Sequence, residues 1–327
     1  MHSYGALYKK ELLEEVIPFW EKYSQDKIHG GYFTCLTSSG MVYDKDKFVW
    51  LQARQAWMFA TLSTTKFASE NWPNMAKTGI DFLEKYGRSP TGDWYFSLTQ
   101  QGQPLIAPYN IFSDCFAAIA FGAYYKIDPK VSYKNIATTT FERILLRKDN
   151  PKGPYNKAMP GTRPMQNFAL PMILCNLALE LEHLLGTAQV NDLAATLVPL
   201  IMEQFYDASR GLVLENISPE GSFVDSFEGR LLNPGHAIEA MWFVMNMGMR
   251  LNDLVLIEKA EAIMYQQLEN GWDSLYGGIF YFLDINGHPT QKLEWDQKLW
   301  WVHLETLVAL AKIYAYNKSP RAKEWFE

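Results

Sequence analysis

Four segments of this chain share one pattern, and a tandem repeat limits the available folds more than any single motif does. Each has small residues, a short alternating stretch, a turn at Gly or Asn-Gly, and a second short stretch. They run from Gly30 to Gly40, Gly92 to Gly102, Gly211 to Gly221, and Gly277 to Gly287. Alternation closed by a glycine turn is the signature of a β-hairpin. The equivalent positions 33, 96, 214 and 282 lie 63, 118 and 68 residues apart, so the middle gap spans two periods. The skipped unit falls on Lys152-Gly153-Pro154-Tyr155-Asn156-Lys157, a Gly/Pro loop without the strand pattern.

Between these segments the apolar residues recur at helical spacing. The periodicity predicts helices near 5–23, 47–66, 71–87, 110–127, 130–148, 165–185, 191–207, 233–251, 253–270 and 297–317. An eleventh begins at Ser319-Pro320, a cap followed by a first-turn proline. Each repeat is therefore two helices and a hairpin. Units of about 60 residues that bury a helix face on their neighbours form a solenoid or a closed ring. Five and a half of them predict an all-α fold, the (α/α)6 barrel or toroid of helical hairpins, with short β-hairpins at one mouth and the last hairpin missing. The whole of 1–327 is expected to be a single domain.

Composition narrows the function classes. The chain has 327 residues, 48% hydrophobic and 15% aromatic, enough for a large core. The net charge is −6 with dispersed Lys and Arg, which argues against a nucleic-acid partner. Cys35, Cys115 and Cys175 are far apart, so they read as reduced thiols rather than a disulfide framework or a metal site. The N-terminus carries acids and has no continuous apolar stretch, and no apolar run reaches membrane-spanning length. A soluble cytoplasmic protein with no membrane partner is expected. Eleven Trp and 18 Tyr suit either an aromatic helical core or a sugar site where flat rings stack on pyranose C–H faces.

In such a barrel the starts of the inner helices line one mouth, and they are where chemistry is expected. Polar and aromatic residues do open five of them: Trp50, Gln52 and Arg54; Tyr109, Asn110, Ser113 and Asp114; Gln166 and Asn167; Asn233, His236 and Glu239; Lys298, Trp300, Trp301, His303 and Glu305. Asn233-Pro234-Gly235-His236 is the sharpest. Asn233 caps, Pro234 suits the first turn, and His236 shares a face with Glu239. A His at a helix N-terminus beside a carboxylate is a candidate general base, with the helix dipole holding it neutral. The bland alternative is a structural His–Glu pair. Trp301 and Glu305 are four apart and are expected to face a cavity together; His303 falls nearer Trp300, and the three cannot all point inward. Arg54 needs a partner, because an unpaired buried charge is costly; that partner is either a substrate oxygen gaining negative charge or an internal carboxylate such as Asp114. Lys157 lies in the loop that breaks the repeat.

The segments WLQARQAWMFATL, IFSDCF, RPMQNFALPMILCNLALEL, VLENISPEG, GRLLNPGHAIEAMWFV, GWDSLYGGIFYFLD and KLEWDQKLWWVHLE resemble, in order and over essentially the whole chain, the N-acylglucosamine 2-epimerase (renin-binding protein) family. NPGHxxE and KLWWVHxE are fairly specific to this family and its relatives, the cellobiose 2-epimerases and sugar isomerases of the same barrel. The resemblance implies interconversion of N-acetylglucosamine and N-acetylmannosamine, a small-molecule amino-sugar partner, a homodimer, and no required cofactor, with ATP an allosteric activator. It implies that His236 is a catalytic base or acid, that Arg54 and Glu239 act with it, and that Trp50, Asp114, Asn167, Asn233, Trp301, His303 and Glu305 hold substrate. Lys157 is the candidate cofactor contact. No metal is implied. The family pattern continues past the final Trp-Phe-Glu into another hairpin and helix that carry a second catalytic His, so the expectation is a family member with little or no epimerase activity as this chain stands.

The chemistry fits these residue types. The C2 proton of an open-chain aldose is acidified by the adjacent carbonyl. One group removes it, an enolate forms, and an acid on the other face returns a proton. The rivals are a cellobiose or other sugar 2-epimerase or isomerase, a glycosidase using Glu239 and Glu305 as paired carboxylates, and a non-catalytic binding protein that holds a sugar or a partner at the same mouth.

Overall fold

The helices fall where the periodicity places them. The structure, a computed structural model, describes residues 2–159 and 161–327. Residues 2–23 form a helical run interrupted by a π-helical turn at Glu11–Val16 and ending in α1 (Ile17–Tyr23). There follow α2 (Val49–Ser63), α3 (Trp72–Tyr86), α4 (Ile111–Tyr125), α5 (Val131–Arg147), α6 (Ala169–Glu180), α7 (Thr187–Pro199), α8 (Pro234–Leu251), α9 (Leu254–Gly271), α10 (Trp300–Asn317) and α11 (Pro320–Phe326). The chain divides into two compact units, Met1–Lys157 with Glu180–Gly186, and Ala158–Leu179 with Thr187–Glu327.

Two kinds of helix alternate. In the first unit α4 is buried on nearly every face, and Ala117, Ala118, Ala120 and Gly122 let its neighbours approach closely. α3 and α5 instead bury one stripe and leave charged residues outside. A helix apolar all round is an interior one, and an amphipathic helix is a covering one. α2 packs on both α3 and α4, and α4 packs on α5. Phe59, Met75, Ile80, Trp94 and Phe121 fill the space between them. The second unit repeats the scheme: α8 is buried on most faces and packs against α9 and α10.

Short antiparallel strands fix where the interior helices begin. β3 (Lys47–Phe48), just before α2, pairs with β4 (Ser97–Leu98) of the next repeat, which pairs in turn with β5 (Pro104–Ile106). β6 (Gln166–Asn167) precedes α6 and pairs with β9 (Asn216–Ile217). β10 (Leu231–Leu232) precedes α8 and pairs with β11 (Leu283–Asp284). The first predicted hairpin forms as β1 (Cys35–Leu36) with β2 (Val42–Asp44), and the second as β4 with β5. The third and fourth differ from expectation. Their turns form, with Gly221 N–H donating to Ser218 O and Gly287 N–H to Asp284 O, but their strands pair outward. β8 (Leu212–Val213) turns back onto β7 (Tyr206–Asp207), leaving β9 for β6. A strand leading into a helix has backbone groups that need partners, and the next repeat supplies them.

Lys47 anchors the first of these junctions. Its side chain is fully buried, and its Nζ donates to Asp26 Oδ2 at 2.8 Å and to the carbonyls of Gly30 and Gln100. One buried charge thus ties three loops together, and all three of its donors are satisfied.

The turn glycines repeat their surroundings. Gly40 and Gly102 have φ near +84° and +88°, and a Cβ on either would overlap the ring of Tyr23 or Tyr86, each at the end of the preceding helix. Gly102→Ala is therefore expected to destabilise the fold by about 1–3 kcal/mol through overpacking and a disfavoured φ. Urea denaturation measures this, and Tyr86→Ala in the same chain should recover only the steric part.

Candidate active site

The start of α8 is the best-organised polar site of the second unit. β10 delivers Asn233 as the cap, whose Oδ1 accepts the His236 N–H at 3.1 Å. Asn233 is 2% exposed, and its Nδ2 has no hydrogen-bond partner among the described residues. Pro234 fills the first turn, where an N–H would go unused. Gly235 has no side chain for a packing reason. A Cβ there would lie 2.7 Å from Trp301 Cη2 and 2.8 Å from Val302 Cγ2. That close approach of α8 to α10 sets the Trp301 ring 5.7 Å from the His236 ring, with Tyr281 edge-on to Trp301 at 5.9 Å.

The partner of His236 is Glu215. His236 Nδ1 lies 3.1 Å from both carboxylate oxygens. Glu215 is buried, and its backbone is held on both sides: its N–H donates to Leu231 O, and its carbonyl accepts from Phe168 N–H. Asn167 is exposed and joins the cluster from β6. Its Nδ2 donates to Asn216 Oδ1 at 3.0 Å and more weakly to the carbonyl and Oε1 of Glu215, while its Oδ1 accepts from Ala169 N–H.

Burial pushes the His236 pKa down, but the Glu215 charge, its hydrogen bond and the Glu239 charge outweigh it, and the net shift is upward. The helix dipole, expected to favour the neutral ring, is therefore opposed by a stronger pull from the two carboxylates. Trp301 and Glu305 do share a face of α10. Glu305 Oε2 accepts from Trp242 Nε1 at 2.9 Å. The Lys312 ammonium sits 5.0 Å over the Trp242 ring. His303 is a correction. Its Nδ1 bonds the Leu299 carbonyl at 2.8 Å and its Nε2 accepts the Ile279 N–H at 3.0 Å. Nε2 ties the 271–279 loop to α10 and Nδ1 is bonded to the cap residue of that same helix, so neither is left for a sugar hydroxyl.

The first unit holds Trp50, Arg54, Asp114 and Lys157. Arg54 is exposed, with its guanidinium carbon 4.8 Å over the Phe116 ring; Trp50 lies 6.2 Å from the same ring. The alternative partner considered for Arg54 is taken: Asp114 pairs with Arg147 at 3.1 Å. At 1% exposed, Asp114 is also closed to substrate, which corrects its assignment as a binding residue. Gln52 is likewise structural, exchanging hydrogen bonds with the Tyr32 backbone. Lys157 is exposed just after the 3-10 turn Gly153–Tyr155. Beside that turn is a cavity of about 580 Å³ lined by Thr91, Tyr95, Arg147, Gly153 and Tyr155 among others. Among the described residues, no group of three or more His, Cys, Asp or Glu could hold a metal, and no helix is long and apolar enough to cross a membrane.

Glu215 was not singled out as a site residue from the sequence, though a signal was present. The positions following Phe33, Phe96, Leu214 and Phe282 are Thr34, Ser97, Glu215 and Leu283. Glu215 is the one ionisable residue at that point of the repeat.

The sequence profile of the N-acylglucosamine 2-epimerase (GlcNAc 2-epimerase) family matches residues 31–327. The chain is 35% identical to the N-acylglucosamine 2-epimerase of Bos taurus over 94% of its length, covering 75% of that protein. It is 34% identical to that of Homo sapiens, again over 94%, covering 74% of the human protein. Among solved structures, a cellobiose 2-epimerase from Bacillus thermoamylovorans aligns over all of this chain and 86% of its own, with TM-score 0.84 and 18% identity. A D-mannose isomerase aligns over 96% of this chain and 81% of its own, with TM-score 0.79 and 18% identity. These likenesses establish the (α/α)6-barrel fold class that the repeat predicts.

Asp114 yields a prediction that needs no substrate. Burial lifts its pKa from 3.8 to about 7 against the pull of Arg147, with the Asp93 charge adding to the rise. Between those two values the folded chain binds a proton that the unfolded chain has lost, so this group makes stability fall as pH rises from about 4 to 7. Asp114→Asn should flatten that slope in melting temperature measured against pH, so that the variant compares least well with the unsubstituted chain near pH 4 and better as pH rises to 7 and above.

Proposed function

Because the chain belongs to the N-acylglucosamine 2-epimerase family, we propose that it is a sugar isomerase that interconverts N-acetyl-D-glucosamine and N-acetyl-D-mannosamine by proton transfer at C2. The observation that carries the mechanism is His236, seated at a helix start between a buried carboxylate and the face of Trp301. In the open-chain sugar the C1 carbonyl acidifies the C2 proton. His236 takes that proton, and the C–H electron pair becomes the C1–C2 double bond of an enolate with its negative charge on O1. Return of a proton to the opposite face of C2 inverts the centre, and the His236 constellation accounts for one face.

Other groups have supporting parts. Trp301 offers an apolar face for the sugar's C–H groups, and Tyr281 braces it. The buried Nδ2 of Asn233 is a donor for a sugar oxygen. Glu239 adds negative charge that favours the imidazolium formed when His236 takes the proton. Glu305 stays committed to Trp242 unless substrate displaces it. For Arg54 the proposal is contact with a substrate oxygen, which its exposed guanidinium allows.

The family resemblance also supports a homodimer, a cytoplasmic location, and ATP as an activator that is not consumed. Of the residues beside the Gly153–Tyr155 turn, Arg147 is already paired with Asp114, so the cations for ATP would be the exposed Lys148, Lys152 and Lys157 of the loop itself.

The test is hydrogen–deuterium exchange at C2 of N-acetylmannosamine in heavy water, followed by proton NMR. The chain should wash out the C2 proton even when inversion is slow. His236→Asn should cut the exchange rate by about 100-fold or more. Trp301→Ala should mainly raise KM. A wild-type chain that leaves the C2 proton untouched contradicts the proposal.

A further inference from the structure

We propose that Glu215 is the positioning residue of His236: it holds the imidazole as the Nδ1–H tautomer and so makes Nε2 the nitrogen that exchanges a proton with C2. The inference rests on the proton-transfer role of His236 proposed above.

The argument is one of hydrogen-bond inventory. An ionised carboxylate only accepts. With Nδ1 at 3.1 Å from both Glu215 oxygens, that nitrogen must be the donor. A neutral imidazole carries one N–H, so its other nitrogen is the lone-pair acceptor. The Nε2 of this ring is therefore the basic atom. When it takes the C2 proton, the ring becomes imidazolium, and the adjacent carboxylate stabilises that charge without itself moving a proton.

Glu215 is built for the purpose. Its carboxylate is 8% exposed, and a buried charge is tolerated only with partners. Those partners are His236 and, more weakly, Asn167. Its backbone is pinned on one side to Leu231 at the end of β10 and on the other to Phe168 at the start of α6. The carboxylate therefore has little freedom to turn away, and the strand that carries it also sets the start of the helix that carries His236. The neighbouring titratable groups are consistent with this. Glu239, on the same helix as His236, adds negative charge. Burial, with the charges of Glu294 and Glu215 adding to it, raises the Tyr281 pKa, so it stays a neutral phenol. Glu305, on α10, is turned to Trp242. None of these competes for Nδ1.

A purely structural Glu215 and a positioning Glu215 differ in measurable ways. The experiment is nitrogen-15 NMR of the histidine imidazoles in the full chain, together with the pH profile of C2 exchange, for wild type, Glu215→Gln and Glu215→Asp. Melting curves confirm that each variant is folded. Wild-type His236 should be the Nδ1–H tautomer and titrate above the ordinary histidine value of 6.5. Glu215→Gln should move that titration, and the acidic limb of the exchange profile, to lower pH. It should also cut kcat by about tenfold or more while KM stays within about twofold. Glu215→Asp, which keeps the charge, should recover much of both. An imidazole titration unchanged in Glu215→Gln, or a loss that falls on KM alone, overturns the role of Glu215 while leaving the epimerase reading intact. A wild-type chain that shows no exchange overturns both the epimerase reading and the assignment of Nε2 to C2.

Discussion

The constraint on which the rest depends is the pairing of the strands that enter α2, α6 and α8 with strands of the following repeat. A helix start exposes N–H groups and an incoming backbone that must find partners. Here β3, β6 and β10 find theirs in β4, β9 and β11. The pairs are only two residues long, too short to be stable alone. They persist because they lie against helices already packed through alanine and glycine. What they contribute is position. Two residues of ladder decide which side chain becomes the cap and which lies on the first turn. Lys47 and Glu215, both buried and charged, occur at such junctions, and each is satisfied by groups brought from other segments.

The His236 site shows which electrostatic effect prevails when several compete. A helix N-terminus acts on a nearby charge by about 0.3–1 kcal/mol. A carboxylate about 3 Å away acts by roughly 5 kcal/mol at an effective dielectric constant near 20, before screening by the partly open surroundings. Burial opposes the imidazolium as the dipole does, yet the two carboxylates exceed both. The result is a histidine whose basicity is raised and whose orientation is set by the same contact.

Local signals were legible in the sequence, and long-range partners were not. All eleven helical segments, the glycine turns and the Asn233 cap follow from periodicity and capping chemistry within a few residues of chain. So does the shared face of Trp301 and Glu305. The third and fourth hairpins went astray because a short alternating run specifies that it will pair but not with what. The same limit hid Glu215 and misplaced Asp114. Glu215 meets His236 across 21 residues and Asp114 meets Arg147 across 33, separations that no helical or strand period encodes. His303 misled in another way. Its neighbours in KLWWVHLE suggested a cavity, whereas its ring ties a loop to the helix that bears it.

Asp114 and His236 also separate two meanings of a perturbed pKa. Shifted groups cluster at functional sites, but structural ion pairs shift too. The Asp114 carboxyl is pushed further than most, to about 7, yet the cause is burial first, and the group is enclosed against Arg147. It has nowhere to deliver a proton. His236 remains one quarter exposed, has one ring nitrogen held by Glu215, lies against the Trp301 ring, and follows a cap whose amide nitrogen has no partner among the described residues. A titratable group becomes a candidate for chemistry when its shift comes from neighbours that leave one atom open, and in the second unit His236 meets that condition.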